Sequence, residues 1–520
     1  MMSDSGPAAQ GGQQPVDPCV LPLGTQGARD YPFIMIMFGG AGDLARKKLA
    51  PTLFRPYRDN LLAHDFRVIG FARTNLNSAE YRAMIKESVI KHCEDPAPED
   101  MLNEFVSHFE FISANFEDDS KYEEVRAAVE KGLPGVSQEN LNLLHYLAAP
   151  PDSAPVIIDR LKHHGLAQGP GRVRVIMEKP FGGDRASARA LNQRVLNAFD
   201  ENQVFRIDHY LGKETVQNLM FFRFGNNVFE PLWNRNYVDH VQITAAEDIG
   251  IETRGNFYEQ AGVVRDIIQN HMLQLAAHTA MEPPASFDAD AVRDEKFKIY
   301  KSFRKVDEEY LRHNMVRGQY GPGRYGEQAV PGYREEANVA KDSVSPTFFA
   351  GKFYIDNWRW SGVPFYLRAG KRLNKRITEI YVEFKQPPLK LMGSACQDAP
   401  NALHLQIQPE ESIILRFNAK QPGVGNIPHP SLLEFNYSKA FQTASYPPYA
   451  RLLLDCLRGD LTLFARQDGV EAMWSVVDPI IQYWEDNPPA NFPNYKAGTW
   501  GPADADELMG RDGRRWRDFA

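Results

Sequence analysis

Phe33-Ile34-Met35-Ile36-Met37-Phe38-Gly39-Gly40-Ala41-Gly42-Asp43-Leu44-Ala45 carries the chain from an apolar run, through a glycine-rich turn, into a helical pattern. Consecutive apolar residues without polar alternation are what a parallel strand buried on both faces requires. Leu44, Leu49 and Leu53 then recur at helical spacing, and a second apolar run follows at 66–71. Strand, turn, helix and strand make a right-handed βαβ unit. Further strands at 143–148 and 173–177 alternate with helical stretches, so the chain to about residue 205 is predicted to form a doubly wound α/β domain.

Within the turn, Gly40-Ala41-Gly42-Asp43-Leu44-Ala45 fits G-x-G-x-x-A between a strand and a helix. Its glycines let the backbone approach a pyrophosphate at the helix N-terminus. Gly39, Gly40, Ala41, Gly42, Asp43 and Leu44 are therefore candidate cofactor-binding residues. The second strand ends in Ala72-Arg73-Thr74. An acidic residue there would hold the ribose 2′-hydroxyl of NAD, whereas Arg73 suits the 2′-phosphate of NADP. Arg46, Lys47 and Lys48 add positive charge nearby. One charged contact contributes about 1.5–3 kcal/mol, which makes NADP the expected cofactor.

Beyond residue 205 the pattern changes. Residues 238–245, 377–384 and 403–407 alternate apolar and polar, with 349–355 less regular, as strands with one buried face do. A large antiparallel or mixed sheet is predicted, with helices such as 257–278 and 447–457 on one face, and Gly/Pro-rich loops at 318–332 and 421–430.

A formal net charge of −8 argues against a nucleic-acid partner. Cys19, Cys93, Cys396 and Cys456 show no zinc-ligand spacing and no disulfide framework, so no metal is expected and reduced thiols in a cytoplasmic protein are. No apolar run approaches a membrane span. Residues 1–30, rich in Gly, Gln, Pro, Ser and Ala, lack a signal peptide's apolar segment and read as a disordered tail.

The chemistry is concentrated in three places. In Arg206-Ile207-Asp208-His209-Tyr210-Leu211-Gly212-Lys213-Glu214, Asp208 is expected to cap a helix that places His209 and Lys213 on one face beside Tyr210. A cation, an imidazole and a phenol at a helix start suit a phosphate, while Asp208 could orient a base. Met177-Glu178-Lys179-Pro180 lies at a strand's carboxyl end, where ligands of such sheets bind, and Lys179 could contact both nicotinamide and substrate. Hydride transfer from a hydroxyl carbon needs a base, usually a neutral imidazole. The helix expected at 257–281 carries Asp266 and His271, five apart and so about 140° apart around a regular helix. Spacing alone cannot pair His271 with Asp208.

Four runs, G-G-A-G-D-L-A-R-K-K (39–48), E-K-P-F-G (178–182), R-I-D-H-Y-L-G-K-E-T-V-Q-N-L (206–219) and R-D-I-I-Q-N-H (265–271), closely resemble the glucose-6-phosphate 1-dehydrogenase family, in the family's order. The resemblance extends from about residue 31 to near the C-terminus. It implies a Rossmann-type NADP-binding domain over 31–207 and an α+β domain over 208–520 that binds substrate and forms dimers or tetramers. It implies oxidation of D-glucose 6-phosphate at C1 to 6-phospho-D-glucono-1,5-lactone with reduction of NADP, opening the pentose phosphate pathway. Carried over by position, His271 is the general base and Asp208 its orienting carboxylate. His209, Tyr210 and Lys213 hold the 6-phosphate, Lys213 also counting with the catalytic residues. Lys179, Glu247 and Asp266 bind the sugar, with Lys371, Arg376 and Gln408 as further substrate contacts. Arg73 and Tyr146 contact the coenzyme, as does Lys179. Animal members bind a second, structural NADP; Arg368 retains one element of that site, but Ile377, Gln406 and Trp500 stand where basic residues would be expected. Two other readings are an NAD(P)-linked dehydrogenase of an unphosphorylated sugar, which His209 and Lys213 oppose, and a non-catalytic NADP-sensing protein.

Overall fold

The computed structural model describes residues 28–93, 97–389, 400–423, 425, 427–441 and 446–518. Cys19, Cys396 and residues 1–27 of the expected tail lie outside the described residues. Ala28, near the tail's end, is buried and bridges Leu62.

The apolar run that opens the fold is β1 (Phe33–Phe38), buried along its whole length. It pairs in parallel with β2 (Phe66–Ala72) on one side and β4 (Asn142–Leu147) on the other. With β3 (Phe109–Ser113), β5 (Arg172–Met177) and β6 (Val204–Arg206), the sheet runs β3-β2-β1-β4-β5-β6. Strand order reverses between β1 and β4, and the crevice at their carboxyl ends is where such sheets take ligands. The glycine-rich turn stands there. Gly39 has φ +86°, and a side chain on it would strike the Ala148 carbonyl; a Cβ on Gly40 would lie 2.7 Å from the Gly70 Cα. Only glycines allow the turn to sit this close to both neighbouring strands.

The second half is built on an eight-stranded sheet. Its strands are β7 (Val238–Ala246), β8 (Met315–Gly318), β9 (Phe348–Tyr354), β10 (Pro364–Gly370), β11 (Ile377–Phe384), β12 (Ala402–Gln408), β13 (Ser412–Lys420) and β14 (Pro428–Asn436). They run β14-β13-β12-β11-β7-β10-β9-β8. All pairs are antiparallel except β7 with β10. β10, which the sequence reading did not anticipate, also alternates between faces: Phe365, Leu367 and Ala369 enter the main core, while Tyr366 joins Tyr320, Phe348 and Trp516 on the opposite face.

Two expected loops are corrected. Residues 318–332 contain the short strands Tyr320–Gly321, Gly323–Tyr325 and Gln328–Val330. The loop expected at 421–430 already contains the start of β14, with Pro428 and Pro430 in it. β14 is a sheet edge, where a missing N–H is tolerated. The helix expected at 257–281 is also not uniform. Gly255–Val263 breaks at Gly262 (φ +55°), Val264–Met272 is a π-helix, and Leu273–Ala280 returns to α-helix.

The last part of the chain stitches both sheets together. The helix Pro448–Arg458 packs on the helix Ala50–Arg58 behind the first sheet. The helix Gln467–Asp486 packs on Arg185–Leu196, on the π-helix and on Ala289–Ser302. One apolar core therefore runs through both halves, from Phe33 in β1 to Leu367 in β10 and Trp474 near the C-terminus.

Candidate active site

Between β6 and the next helix the chain makes a compact turn. Tyr210 N–H donates to Asp208 Oδ1 (3.0 Å), Leu211 N–H to the Asp208 carbonyl, and Lys213 N–H to the Tyr210 carbonyl. Gly212 lies so close to the Pro448 carbonyl that a Cβ would be 2.5 Å from it. The helix begins only at Glu214, with Lys213 at its N-cap. The expectation that Asp208 caps this helix, with His209 and Lys213 stacked on one face, is thereby corrected. The Asp208 carboxylate is taken up by an Asx-turn and by His271 instead.

His271 Nδ1 lies 2.5 Å from Asp208 Oδ1, across 63 residues of sequence. Both are nearly sealed from water, at 3 % exposure each. The other ring nitrogen, Nε2, accepts from Lys179 Nζ at 2.8 Å. This places the imidazole proton on Nδ1, toward the carboxylate, and the lone pair on Nε2, toward the cleft. The ring is stacked on Tyr210, with centroids 4.1 Å apart, and His209 meets its edge.

Burial lowers the His271 pKa below the ordinary imidazole value, with Lys179 adding to the effect and Asp208 opposing it. Burial alone would raise the Asp208 carboxyl, but His271, His209 and Lys179 outweigh it and hold the group well below the carboxylate range. A neutral imidazole beside an ionised carboxylate results. His209 is driven well below its ordinary value by burial, then by His271 and Lys179.

The π-helix brings Asp266 into the same site. Its i→i+5 bonding widens each turn, so residues five apart come round to one side. Lys179 shows the effect: the same Nζ that touches His271 donates to the Asp266 carbonyl (2.8 Å) and to Asp266 Oδ1 (3.2 Å). The 140° divergence expected of a regular helix does not occur. On the far side of Asp266, Lys371 Nζ lies 4.0 Å from Oδ2 and pairs with Glu247.

A second knot lies at the other end of the turn. Lys213 Nζ donates to Gln408 Oε1 (2.5 Å) and sits 4.5 Å above the Tyr210 ring. Gln408 Nε2 donates to Thr378 Oγ1 at 2.8 Å, and the Tyr210 hydroxyl lies 3.4 Å from the same Thr378 oxygen. Burial lowers the Lys213 pKa to about 8, with Glu411 opposing and Arg376 reinforcing the shift. Arg376 itself is exposed.

At the glycine-rich turn, Gly42 N–H donates to the Gly39 carbonyl, and Asp43 is held by Arg46 (2.8 Å) and Lys47 (3.0 Å). Arg73 is exposed just beyond β2. A close-packed glycine turn at a helix start, flanked by exposed cationic side chains, fits the diphosphate and 2′-phosphate of NADP. Leu44 and Ala148 share a cleft with Glu178, Lys179, Arg254 and Asp266, which joins this turn to Lys179, the partner of His271. Tyr146 is fully buried in β4 with its hydroxyl on Glu178 Oε1 (2.6 Å), so its side chain stands behind that cleft.

Glu178, Arg254, Thr378 and Tyr449 were not singled out by sequence reasoning. Glu178 carried a signal, as the acid next to Lys179 at a strand's carboxyl end. Tyr449 carried none; its hydroxyl lies 3.4 Å from Glu178 Oε2 and its ring is stacked with His209. Arg368 lies over the rings of Trp500 (5.0 Å) and Trp516 (4.4 Å), Ile377 is buried, and Gln406 donates to the Glu410 carbonyl.

Comparison with known proteins agrees with this layout. The family model "Glucose-6-phosphate dehydrogenase, NAD binding domain" matches residues 36–218, and "Glucose-6-phosphate dehydrogenase, C-terminal domain" matches 220–517. The chain is 44% identical over 510 residues to the glucose-6-phosphate 1-dehydrogenase of Mycolicibacterium smegmatis, covering 97% of this chain and 99% of that one. It is 43% identical over 485 residues to that of Aggregatibacter actinomycetemcomitans, covering 93% and 97%. A solved structure described as glucose-6-phosphate dehydrogenase in complex with its substrate glucose-6-phosphate is similar at a TM-score of 0.85 and 35% identity, over 94% of this chain and 99% of that one.

Burial pushes the Glu178 carboxyl up to about 7, against the opposing hydrogen bonds from Tyr146 and Tyr449. The folded protein thus keeps a proton that the unfolded chain gives up near its ordinary value of 4.5. This contribution to stability is complete below that value and is lost as pH rises through about 7. Glu178→Gln is expected to flatten the decline over that window, measured by chemical denaturation at a series of pH values. An unchanged slope in the variant would remove Glu178 as its source.

Proposed function

The chain belongs to the glucose-6-phosphate dehydrogenase family, and from that premise we propose how its own residues oxidise D-glucose 6-phosphate at C1 to 6-phospho-D-glucono-1,5-lactone. The enzyme is NADP-dependent and opens the oxidative pentose phosphate pathway. The observation that carries the assignment of roles is the His271 imidazole held between Asp208 and Lys179.

His271 Nε2, unprotonated and facing the cleft, takes the C1 hydroxyl proton. Asp208 keeps the ring oriented and stabilises the imidazolium that forms. Lys179 and Asp266 stand beside Nε2 and position the sugar there, while Glu247 and Lys371 receive other hydroxyls. Lys213, with His209 and Tyr210, holds the 6-phosphate; Gln408, which occupies Lys213 in this structure, and the exposed Arg376 complete that end. When bound, NADP would supply the acceptor for the hydride that leaves C1. Gly39, Gly40, Ala41, Gly42, Asp43 and Leu44 would hold its diphosphate, Arg46 and Arg73 its 2′-phosphate. In this reading residues 31–207 serve the cofactor and residues 208–520 serve the substrate and assembly. Lys179, Asp208 and His271 converge on one point, which favours an enzyme over a protein that only senses NADP.

We also propose that the enzyme works in the cytoplasm as a homo-oligomer, dimer or tetramer, assembled through the large sheet. Leu433 and Phe435, two apart and so on one side of the edge strand β14, are 59 % and 40 % exposed, which supports that face. No helix of the described residues is long and apolar enough to cross a membrane.

Three outcomes are expected. The wild-type enzyme forms NADPH from glucose 6-phosphate and not from glucose, and His271→Asn lowers kcat by about 10²–10⁴ with smaller changes in KM; near-normal turnover in the variant would exclude His271 as the base. Arg73→Ala cuts the preference for NADP over NAD by about ten- to hundred-fold in kcat/KM, with little effect on the KM for sugar phosphate; an unchanged preference would move the 2′-phosphate contact elsewhere. Enzyme from the soluble cell fraction sediments as a dimer or tetramer, and Leu433→Glu shifts it toward monomer. Recovery with membranes would refute the cytoplasmic placement, and unaltered assembly of the variant would refute the proposed face.

A further inference from the structure

One hydroxyl joins the groups at the phosphate end, and the roles proposed for the sugar give it no part. Thr378 lies in β11, fully buried, on the same face as Ile380 and Val382 of the main core. A hydroxyl in an apolar row is costly unless its hydrogen bonds are made.

A β-bulge sets what Thr378 meets. Ile380 pairs with Leu405 and Glu379 with Gln406, but Thr378 pairs with Gln408, so Ile407 is an extra residue in β12. In unbroken register Thr378 would face Ile407, and Gln408 would point to the other side of the sheet with Gln406. The bulge turns Gln408 toward Thr378 instead.

Hydrogen-bonding capacity then fixes the direction of each proton. An ammonium only donates, so the Gln408 atom facing Lys213 Nζ is Oε1, and Nε2 is the atom 2.8 Å from Thr378 Oγ1. Thr378 therefore accepts from the amide. A hydroxyl carries one proton of its own, and the other hydrogen-bond partner of Oγ1 among the described residues is the Tyr210 oxygen at 3.4 Å. With that oxygen accepting from Thr378, the Tyr210 O–H is left to point elsewhere. Lys213, whose ammonium has three donors, uses one on Gln408.

We propose that Thr378 is a positioning residue for the substrate phosphate: its hydroxyl turns the Gln408 amide oxygen to Lys213 and leaves the Tyr210 O–H for the phosphate, so that both donors are oriented before the substrate arrives. Thr378 touches neither sugar nor cofactor and acts only through these neighbours. The inference rests on the assignment of Lys213 and Tyr210 to the 6-phosphate in the proposed function.

The test compares full-length wild type with Thr378→Val, which keeps the shape and removes the hydroxyl, and with Thr378→Ser, which keeps the hydroxyl. Lys213→Ala is run alongside. The measurements are kcat and KM for glucose 6-phosphate, the KM for NADP, and competitive inhibition by inorganic phosphate. In Thr378→Val, Gln408 Nε2 loses its acceptor, so the KM for glucose 6-phosphate and the inhibition constant of inorganic phosphate should rise together, each by about ten-fold. Both kcat and the KM for NADP should stay within about three-fold, since the reacting carbon lies at the other end of the sugar. Thr378→Ser should stay within about two-fold of wild type in every measurement. Unchanged KM and phosphate inhibition in Thr378→Val would overturn the proposal. So would an equal loss in Thr378→Ser, a fall in kcat alone, or failure of Thr378→Val to fold, since each leaves the hydroxyl no part in holding phosphate. Lys213→Ala should weaken both phosphate-dependent quantities further. If it leaves both untouched, the assignment of the phosphate end falls instead, which keeps the two failures distinct.

Discussion

Everything in the site depends on the contact between Asp208 and His271. One partner leaves the end of the first sheet and the other sits on a helix crossing the second. A buried carboxylate and a buried imidazole are each costly alone, and together they remove most of that cost only at hydrogen-bond distance. The two halves of the molecule must therefore be held to within a fraction of an ångström. The C-terminal helices provide this: Pro448–Arg458 packs on the first half, Gln467–Asp486 packs against both, and Arg206, two residues before Asp208, is bridged to Ala465. The arrangement of the two halves and the orientation of His271 are one constraint.

The same economy governs the charges around it. Lys179 faces Asp266 and His271, Lys371 faces Glu247, and Lys213 rests on Gln408 and the Tyr210 ring. Such groups are weak sources of stability, because desolvation consumes most of their attraction. In the proposed function they are aimed in advance at places where a sugar phosphate brings hydroxyls and negative charge, so that little reorganisation is needed when it binds. The π-helix serves that purpose as well, turning Asp266 and His271 toward one lysine where a regular helix would have parted them.

Much of this was legible in the chain. The apolar run of β1, the glycine turn and the period-two strands describe local backbone states, and the structure contains them near the expected boundaries. Lys179, at a strand's carboxyl end, was placed in the cleft by topology rules alone. The family motifs named Asp208 and His271 as partners, although their spacing could not. The failures share a cause. Asp208 looked like a helix cap, but its carboxylate had a stronger claim from a residue far away in sequence. Pro428 and Pro430 looked like loop residues, but the strand holding them has a free edge. Tyr449 lay unremarked within an expected helix, and only its neighbours Glu178 and His209 distinguish it.

The sequence by itself determined the kinds of element, their order, the faces that must be buried and the chemical groups available for catalysis. These follow from short-range sterics and hydrophobic periodicity, which act within a few residues. Only the tertiary structure decided which groups meet: Asp208 with His271, Lys179 with Asp266, and Lys213 with Gln408. Those pairings rest on packing between elements distant in sequence and on the dielectric of a closed interior, and neither exists until the chain has folded.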